Sequence, residues 1–262
     1  MQFVRSTDGT RIAVERAGTG AHLLLVHGTS ANSSRWQPVL ATLSAHFTVH
    51  ALDRRGHGSS QDAPSYRLDR EGEDIVACLD ATGEARVDVV AHSFGALCAL
   101  SAAAMSNRIR RLILFEPPIP TYPGAYYPAG LIDSMRDALA RGQADEAVTH
   151  FVTGVFHPEP EELASMRNLT LWKDMCRTAP LMLRELEAVD AFKLDAQAYR
   201  SWTIPTLLVL GGESPPQYRA TIERLNTILT GSRVVVLEGA GHSAMRTAPD
   251  LFAGAILDFL KP

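Results

Sequence analysis

Ser93 stands in Ala91-His92-Ser93-Phe94-Gly95, between the apolar run Val87-Asp88-Val89-Val90 and a small-residue stretch from Ala96 to Ala104. The run reads as a buried strand and the stretch as a buried helix. A tight turn between them is the G-x-S-x-G arrangement, with Ala91 in the place of the first glycine. Such a turn lifts the serine hydroxyl off the sheet. The helix starts beneath it, and its N-terminal N–H groups and dipole favour an anion there. The plainer alternative is a serine that only caps the helix. A hydroxyl is a weak nucleophile. It needs a base in hydrogen-bond reach, a group to orient that base, and donors for the developing oxyanion. The N–H of Phe94, directly after Ser93, is one such donor. His242, in the glycine-rich turn Gly239-Ala240-Gly241-His242-Ser243, is a candidate base, with His27, His57 and His92 as rivals. Glu116 and Glu213 follow apolar runs and are candidate carboxylates.

The elements that must position these residues alternate. Apolar runs at 22–26, 47–52, 87–91 and 111–115 predict buried parallel strands, with helices near 33–45, 69–82 and 94–106 between them. The pattern resumes with strand 205–210, helix 216–229, strand 233–237 and helix 248–260. Thr7-Asp8-Gly9-Thr10, between Phe3-Val4 and Arg11-Ile12-Ala13-Val14, predicts a hairpin. The fold class is therefore α/β, a mostly parallel sheet with helices on both faces. Ligands on such sheets bind at the carboxyl ends of the strands.

Residues 117–200 interrupt this alternation. They open with Pro117-Pro118-Ile119-Pro120-Thr121-Tyr122-Pro123, which suits neither a helix nor a central strand. Helical periodicity follows in three stretches. Leu131, Met135, Ala138 and Leu139 mark the first; Val148, Phe151, Val152, Val155 and Phe156 the second; Leu163, Met166, Leu169, Trp172 and Met175 the third. The expected organisation is a core of 1–116 and 201–262 carrying a helical cap at 117–200. Trp172 and Phe156 are candidates for lining a substrate pocket, against the alternative that they pack the cap.

Composition sets outer bounds. The chain has 262 residues, 46% hydrophobic and 21% charged, with a net charge of −4. That is ordinary globular composition, with no basic footprint for nucleic acid or an anionic membrane. Cys78, Cys98 and Cys176 form neither a disulfide framework nor a metal-ligand spacing. No apolar run is long enough for a membrane span, and the first residues lack a signal-peptide core. The expectations are a cytoplasmic protein, a monomer or homodimer, with no cofactor and no metal.

Four motifs in order resemble the α/β-hydrolase superfamily over nearly the whole chain. They are Leu23-Leu24-Leu25-Val26-His27-Gly28-Thr29-Ser30, the segment Asp53-Arg54-Arg55-Gly56-His57-Gly58-Ser59-Ser60, the Ser93 turn, and the His242 turn. The resemblance implies Ser93 as nucleophile and His242 as base. It implies an oxyanion hole from the backbone N–H groups of Thr29 and Phe94. Asp53 and Arg55 become loop-bracing residues, and Trp36 a pocket-wall aromatic or a packing residue. In most of the family the orienting acid is an Asp after the strand at 205–210. Here Leu210-Gly211-Gly212-Glu213-Ser214-Pro215 puts Ser214 in its place. Glu213 is one residue early. Glu116, after the sixth strand, resembles a subgroup related to some haloalkane dehalogenases and is preferred. A carboxylate at a buried strand end also needs a partner, and an imidazole N–H supplies one.

The implied activity is a serine hydrolase that cleaves a carboxylic ester or lactone of a small to medium apolar substrate through an acyl-enzyme. A thioesterase, a small-amide hydrolase and a ligand receptor that keeps the fold remain alternatives, because fold does not fix function.

Overall fold

The computed structural model describes residues 1–121, 126–197, 199 and 201–261. Tyr122 and Pro123 of the proline-rich opening, and Ala198 and Arg200 near the end of the expected cap, lie outside them. The chain divides into two compact units, one of Met1–Pro118 with Leu194–Pro262, the other of Ile119–Lys193.

The first unit is built on eight strands: β1 (Gln2–Arg5), β2 (Arg11–Ala17), β3 (Ala21–Val26), β4 (Phe47–Leu52), β5 (Val87–His92), β6 (Ile109–Phe115), β7 (Thr206–Gly211) and β8 (Arg233–Leu237). Their order across the sheet is β1-β2-β4-β3-β5-β6-β7-β8. β1 and β2 form the expected antiparallel hairpin, with Arg5 opposite Arg11. From β4 onward every pair is parallel. All residues of β4, β5 and β7 are buried, as a sheet covered on both faces requires.

Helices α1 (Gln37–Ser44), α2 (Leu68–Asp80) and α3 (Phe94–Met105) follow β3, β4 and β5. A short 3₁₀ turn, η1 (Ser33–Trp36), precedes α1, so the expected helix at 33–45 is two pieces. Pro38, at the start of α1, permits a new helical start there. Trp36, Val39 and Leu43 pack with Leu23, Leu25, Val49, Val90, Phe252 and Ile256 on one face of the sheet. α3 is almost wholly buried, and its uniform apolarity is that of an interior helix. α2 packs against it.

The second unit holds α4 (Leu131–Ala140), α5 (Ala144–Phe156), α6 (Pro160–Arg167), α7 (Thr170–Arg177) and α8 (Ala179–Ala191). The third periodic stretch is therefore two short helices, broken at Asn168–Leu169, and α8 was not anticipated. Pro180 in the first turn of α8 suits a helix start, which separates it from α7. This unit has its own core of Leu131, Met135, Val148, Phe151, Val152, Trp172, Met175, Met182 and Leu186. Trp172 is buried there and its indole N–H donates to Asp145 Oδ1 at 2.6 Å. It is a packing residue of its unit. Phe156 remains exposed.

The first unit closes with α9 (Pro216–Ile228), the short α10 (Ala244–Thr247) and α11 (Pro249–Leu260). Pro249 starts α11 one residue after the expected boundary.

Candidate active site

Parallel pairing sets five strand ends side by side. Val26 pairs with Ala91, His92 with Phe115, Phe115 with Val209, and Gly211 with Leu237. The loops that leave these ends carry Gly28, Ser93, Glu116 and His242. Ser93 and His242, 149 positions apart in the chain, thus meet at one edge of the sheet.

Ser93 adopts φ 53° and ψ −128° between β5 and α3. A non-glycine residue at positive φ is strained, and the strain persists only where surroundings impose it. Two glycines let the turn close. A Cβ on Gly95 would stand 2.3 Å from the carbonyl oxygen of His27. A Cβ on Gly28 would stand 2.8 Å from Cβ of Ser93. The strand-end loop that contains Thr29 is thereby pressed against the serine. Phe94 is the first residue of α3, where an N–H has no partner within the helix.

His242 Nε2 lies 3.1 Å from Ser93 Oγ. Its Nδ1 lies 2.5 Å from Oε2 of Glu116. The other carboxylate oxygen, Oε1, accepts the backbone N–H of Gly211 at 2.7 Å. Glu116 is fully buried at φ 48°, a second strained residue that turns its carboxylate toward the ends of β7 and β8. Burial of an acid is tolerable here because both oxygens are hydrogen-bonded. Glu213 is exposed, and its backbone N–H is bound to the carbonyl of Ala240. Ser214 Oγ is buried without a hydrogen-bond partner among the described residues. Of the two candidate glutamates, only Glu116 meets His242.

The rival histidines have other partners. His92 Nε2 donates to the carbonyl of His242 at 2.8 Å, so it supports the histidine loop. Burial, then the neighbouring His242 and Arg35, push its pKa well below the usual histidine value and keep it neutral. His27 Nε2 accepts the N–H of Arg54 at 3.0 Å, which leaves its Nδ1–H to donate to Gly28 O at 2.8 Å. His57 packs edge-on against His27. Asp53 accepts from the N–H groups of Ser33 and Ser59, and Arg55 pairs with Asp74 and Asp8. Both brace loops. Trp36 is fully buried and stacks on Phe252, so it packs the core.

A family model described as the alpha/beta hydrolase family matches residues 23–255. The chain belongs to the alpha/beta hydrolase family. A crystal structure of an alpha/beta hydrolase from Sphaerobacter thermophilus is similar, at 35% identity with TM-score 0.88, over 99% of this chain and 100% of that one. A 2-(acetamidomethylene)succinate hydrolase from Mesorhizobium japonicum is 26% identical over 98% of this chain and 94% of its own. A pimeloyl-[acyl-carrier protein] methyl ester esterase from Neisseria meningitidis is 26% identical over 90% of this chain and 92% of its own. This member of the alpha/beta hydrolase family is a hydrolase. Among its described residues no helix is long and apolar enough to cross a membrane.

Two neighbours of this hydrolase's site escaped the sequence. Tyr218, in the first turn of α9, stacks on His242 with ring centroids 4.5 Å apart and planes 18° apart. Its hydroxyl lies 3.5 Å from Nε2. Arg54 bonds Gly28 O at 3.2 Å and covers the face of Phe94 at 4.6 Å, tying the two loops that flank Ser93. Its charge is balanced by buried Glu71 at 2.8 Å. Sequence carried no signal for Tyr218. For Arg54, the hint was the acidic residues of the following helix, Glu71 and Asp74, at one turn's spacing.

Proposed function

We propose that this hydrolase cleaves a carboxylic ester or lactone of a small to medium apolar substrate, through an acyl-enzyme on Ser93. The observation that carries the reading is the continuous path Ser93 Oγ, His242 Nε2, His242 Nδ1, Glu116 Oε2. His242 takes the hydroxyl proton as Oγ attacks the carbonyl carbon. The imidazolium so formed donates its Nδ1–H to Glu116, which Gly211 holds from the far side. The N–H groups of Phe94 and Thr29 receive the oxyanion. The tetrahedral intermediate collapses, His242 returns the proton to the departing alcohol, and a water then follows the same route to release the acid. The chain's own residues supply every proton transfer. The reading includes a cytoplasmic enzyme, which suits the three free cysteines.

The relative that hydrolyses 2-(acetamidomethylene)succinate favours a second reading, a small amide as the substrate of the same triad. One experiment separates the readings. Purified protein is assayed on aryl esters, lactones, thioesters and anilides of graded acyl length, then treated with a fluorophosphonate. Ester turnover with a single adduct on the Ser93 peptide is expected. Turnover confined to anilides selects the second reading, and labelling elsewhere than Ser93 overturns both.

A further inference from the structure

The amino ends of the strands form a second edge of the sheet, at the far end of β5 from Ser93. There Ala21 of β3 pairs with Phe47 of β4, and the N–H of Leu112 in β6 donates to the carbonyl of Pro205, just before β7. Phe47 belongs to the core on the face that α1 and α11 cover, and α11 stops at Leu260. A cavity of about 860 Å³ opens at this edge, within the first unit. Ala21, Phe47, Pro205, Leu257 and Leu260 give it apolar walls. His46, Arg110, Arg111 and Lys261 give it a polar side. The volume is that of a small-molecule site. None of the lining residues comes from the loops of Gly28, Ser93, Glu116 or His242.

The polar side is organised by Asp88, a fully buried carboxylate. It accepts from Nε and Nη2 of Arg110 at 2.8 and 2.5 Å, and from Nε and Nη2 of Arg111 at 3.2 and 2.8 Å. Two guanidiniums thus share one carboxylate, which leaves one positive charge unmatched. The Lys261 ammonium has its own partner, Asp258, at 2.6 Å. Arg110 is the more exposed arginine of the two. Its Nη1 has no hydrogen-bond partner among the described residues. Arg111 Nη1 reaches only the carbonyl of Lys261, at 3.4 Å. Asp88 holds both side chains in place, so their spare donors are offered with little further loss of rotamer freedom. Spare guanidinium donors match a carboxylate, and the walls beside them match a hydrocarbon chain.

We propose that this cavity binds a single-chain carboxylate, a fatty-acid-type anion. Its head meets Arg110 and Arg111, and its chain lies against Phe47, Leu257 and Leu260. The site is separate from that of Ser93 and does not depend on the chemistry assigned there.

Calorimetric titration of the full chain with decanoate, decan-1-ol and butyrate tests this. Decanoate is expected to bind about tenfold or more tightly than either, since decanol lacks the charge and butyrate the chain. Added salt weakens decanoate and leaves decanol unchanged. Arg110→Met lowers decanoate affinity by about tenfold, the scale of one charged hydrogen bond, without changing decanol. Arg110→Lys recovers part of that loss. Leu257→Glu, which sets a like charge in the wall, lowers decanoate affinity by about tenfold or more. A decanoate with a diazirine at its far end locates the site on wild-type protein. After irradiation the expected adducts lie on the peptides that contain Phe47 or Leu257 and Leu260. Three results would each overturn the proposal: decanoate no tighter than decanol, an affinity that neither Arg110→Met nor Leu257→Glu alters, or adducts confined to other peptides, those of Ser93 and His242 included.

Discussion

Glu116 holds His242 with one carboxylate oxygen, Oε2 to Nδ1 at 2.5 Å, while the backbone N–H of Gly211 holds the other at 2.7 Å. The acid is therefore fixed from the strand next to the one that bears Ser93, and the usual place for an acid is occupied by Ser214. In Glu116→Gln the amide oxygen keeps the Gly211 bond and the NH₂ faces Nδ1. The imidazole must then carry its proton on Nε2, where it cannot accept from Ser93. The expected fall in kcat is roughly 10²- to 10⁴-fold with the fold intact by circular dichroism. Glu213→Gln, at an exposed position, should cost about tenfold or less. Reversed effects would assign the orienting role to Glu213.

Tyr218 tests a different dependence. Its ring lies flat against His242, so it limits the imidazole's rotation rather than its proton transfer. Tyr218→Phe keeps the ring and should leave kcat within about threefold, since the 3.5 Å hydroxyl contact to Nε2 is too long for a strong hydrogen bond. Tyr218→Ala removes the ring, and kcat should fall by about 10- to 100-fold with KM little changed, the cost of a slightly misplaced catalytic group. An alanine variant with normal kcat would make Tyr218 a packing residue only.

Trp172 should behave as core, although its sequence neighbourhood suggests a pocket-lining role. Trp172→Ala is expected to lose about 3–5 kcal/mol in the unfolding of its unit, from the cavity and the lost indole bond to Asp145. Phe156→Ala, at an exposed position, should change stability by about 0.5 kcal/mol or less. Denaturant titrations of both variants give the comparison directly.

Two histidines set an acid limit on stability. Burial, then the charges of His22 and Arg16, push the pKa of His50 down to about 4. His92 is also pushed well below the usual histidine value, by burial first. Both titrate near 6.5 once unfolded, with a pKa of about that value. Below that pH the unfolded chain binds protons that the folded chain refuses. Stability should therefore be level above about pH 6.5 and decline as pH falls toward 4. Urea midpoints measured across this range should show the decline, and His50→Gln should make it shallower. An unchanged slope in that variant would remove His50 from the account.

What the sequence by itself determined is local. The strand–turn–helix around Ser93, the glycine turn of His242, and the loop of Gly28 and Thr29 are each legible because turn chemistry and hydrophobic period act over a few residues. The parallel α/β alternation follows from the same signals. The helices of the second unit were legible as periodicity but not as five elements, because breaks at Asn168–Leu169 and at Pro180 leave the apolar spacing almost uninterrupted. The tertiary structure alone decided which carboxylate reaches His242. Glu116 and His242 are 126 residues apart, and they meet only because β6, β7 and β8 are consecutive in the sheet. It alone placed Tyr218 on the imidazole. Those are relations between elements, set by how strands order and helices pack, and no pattern within one segment encodes them.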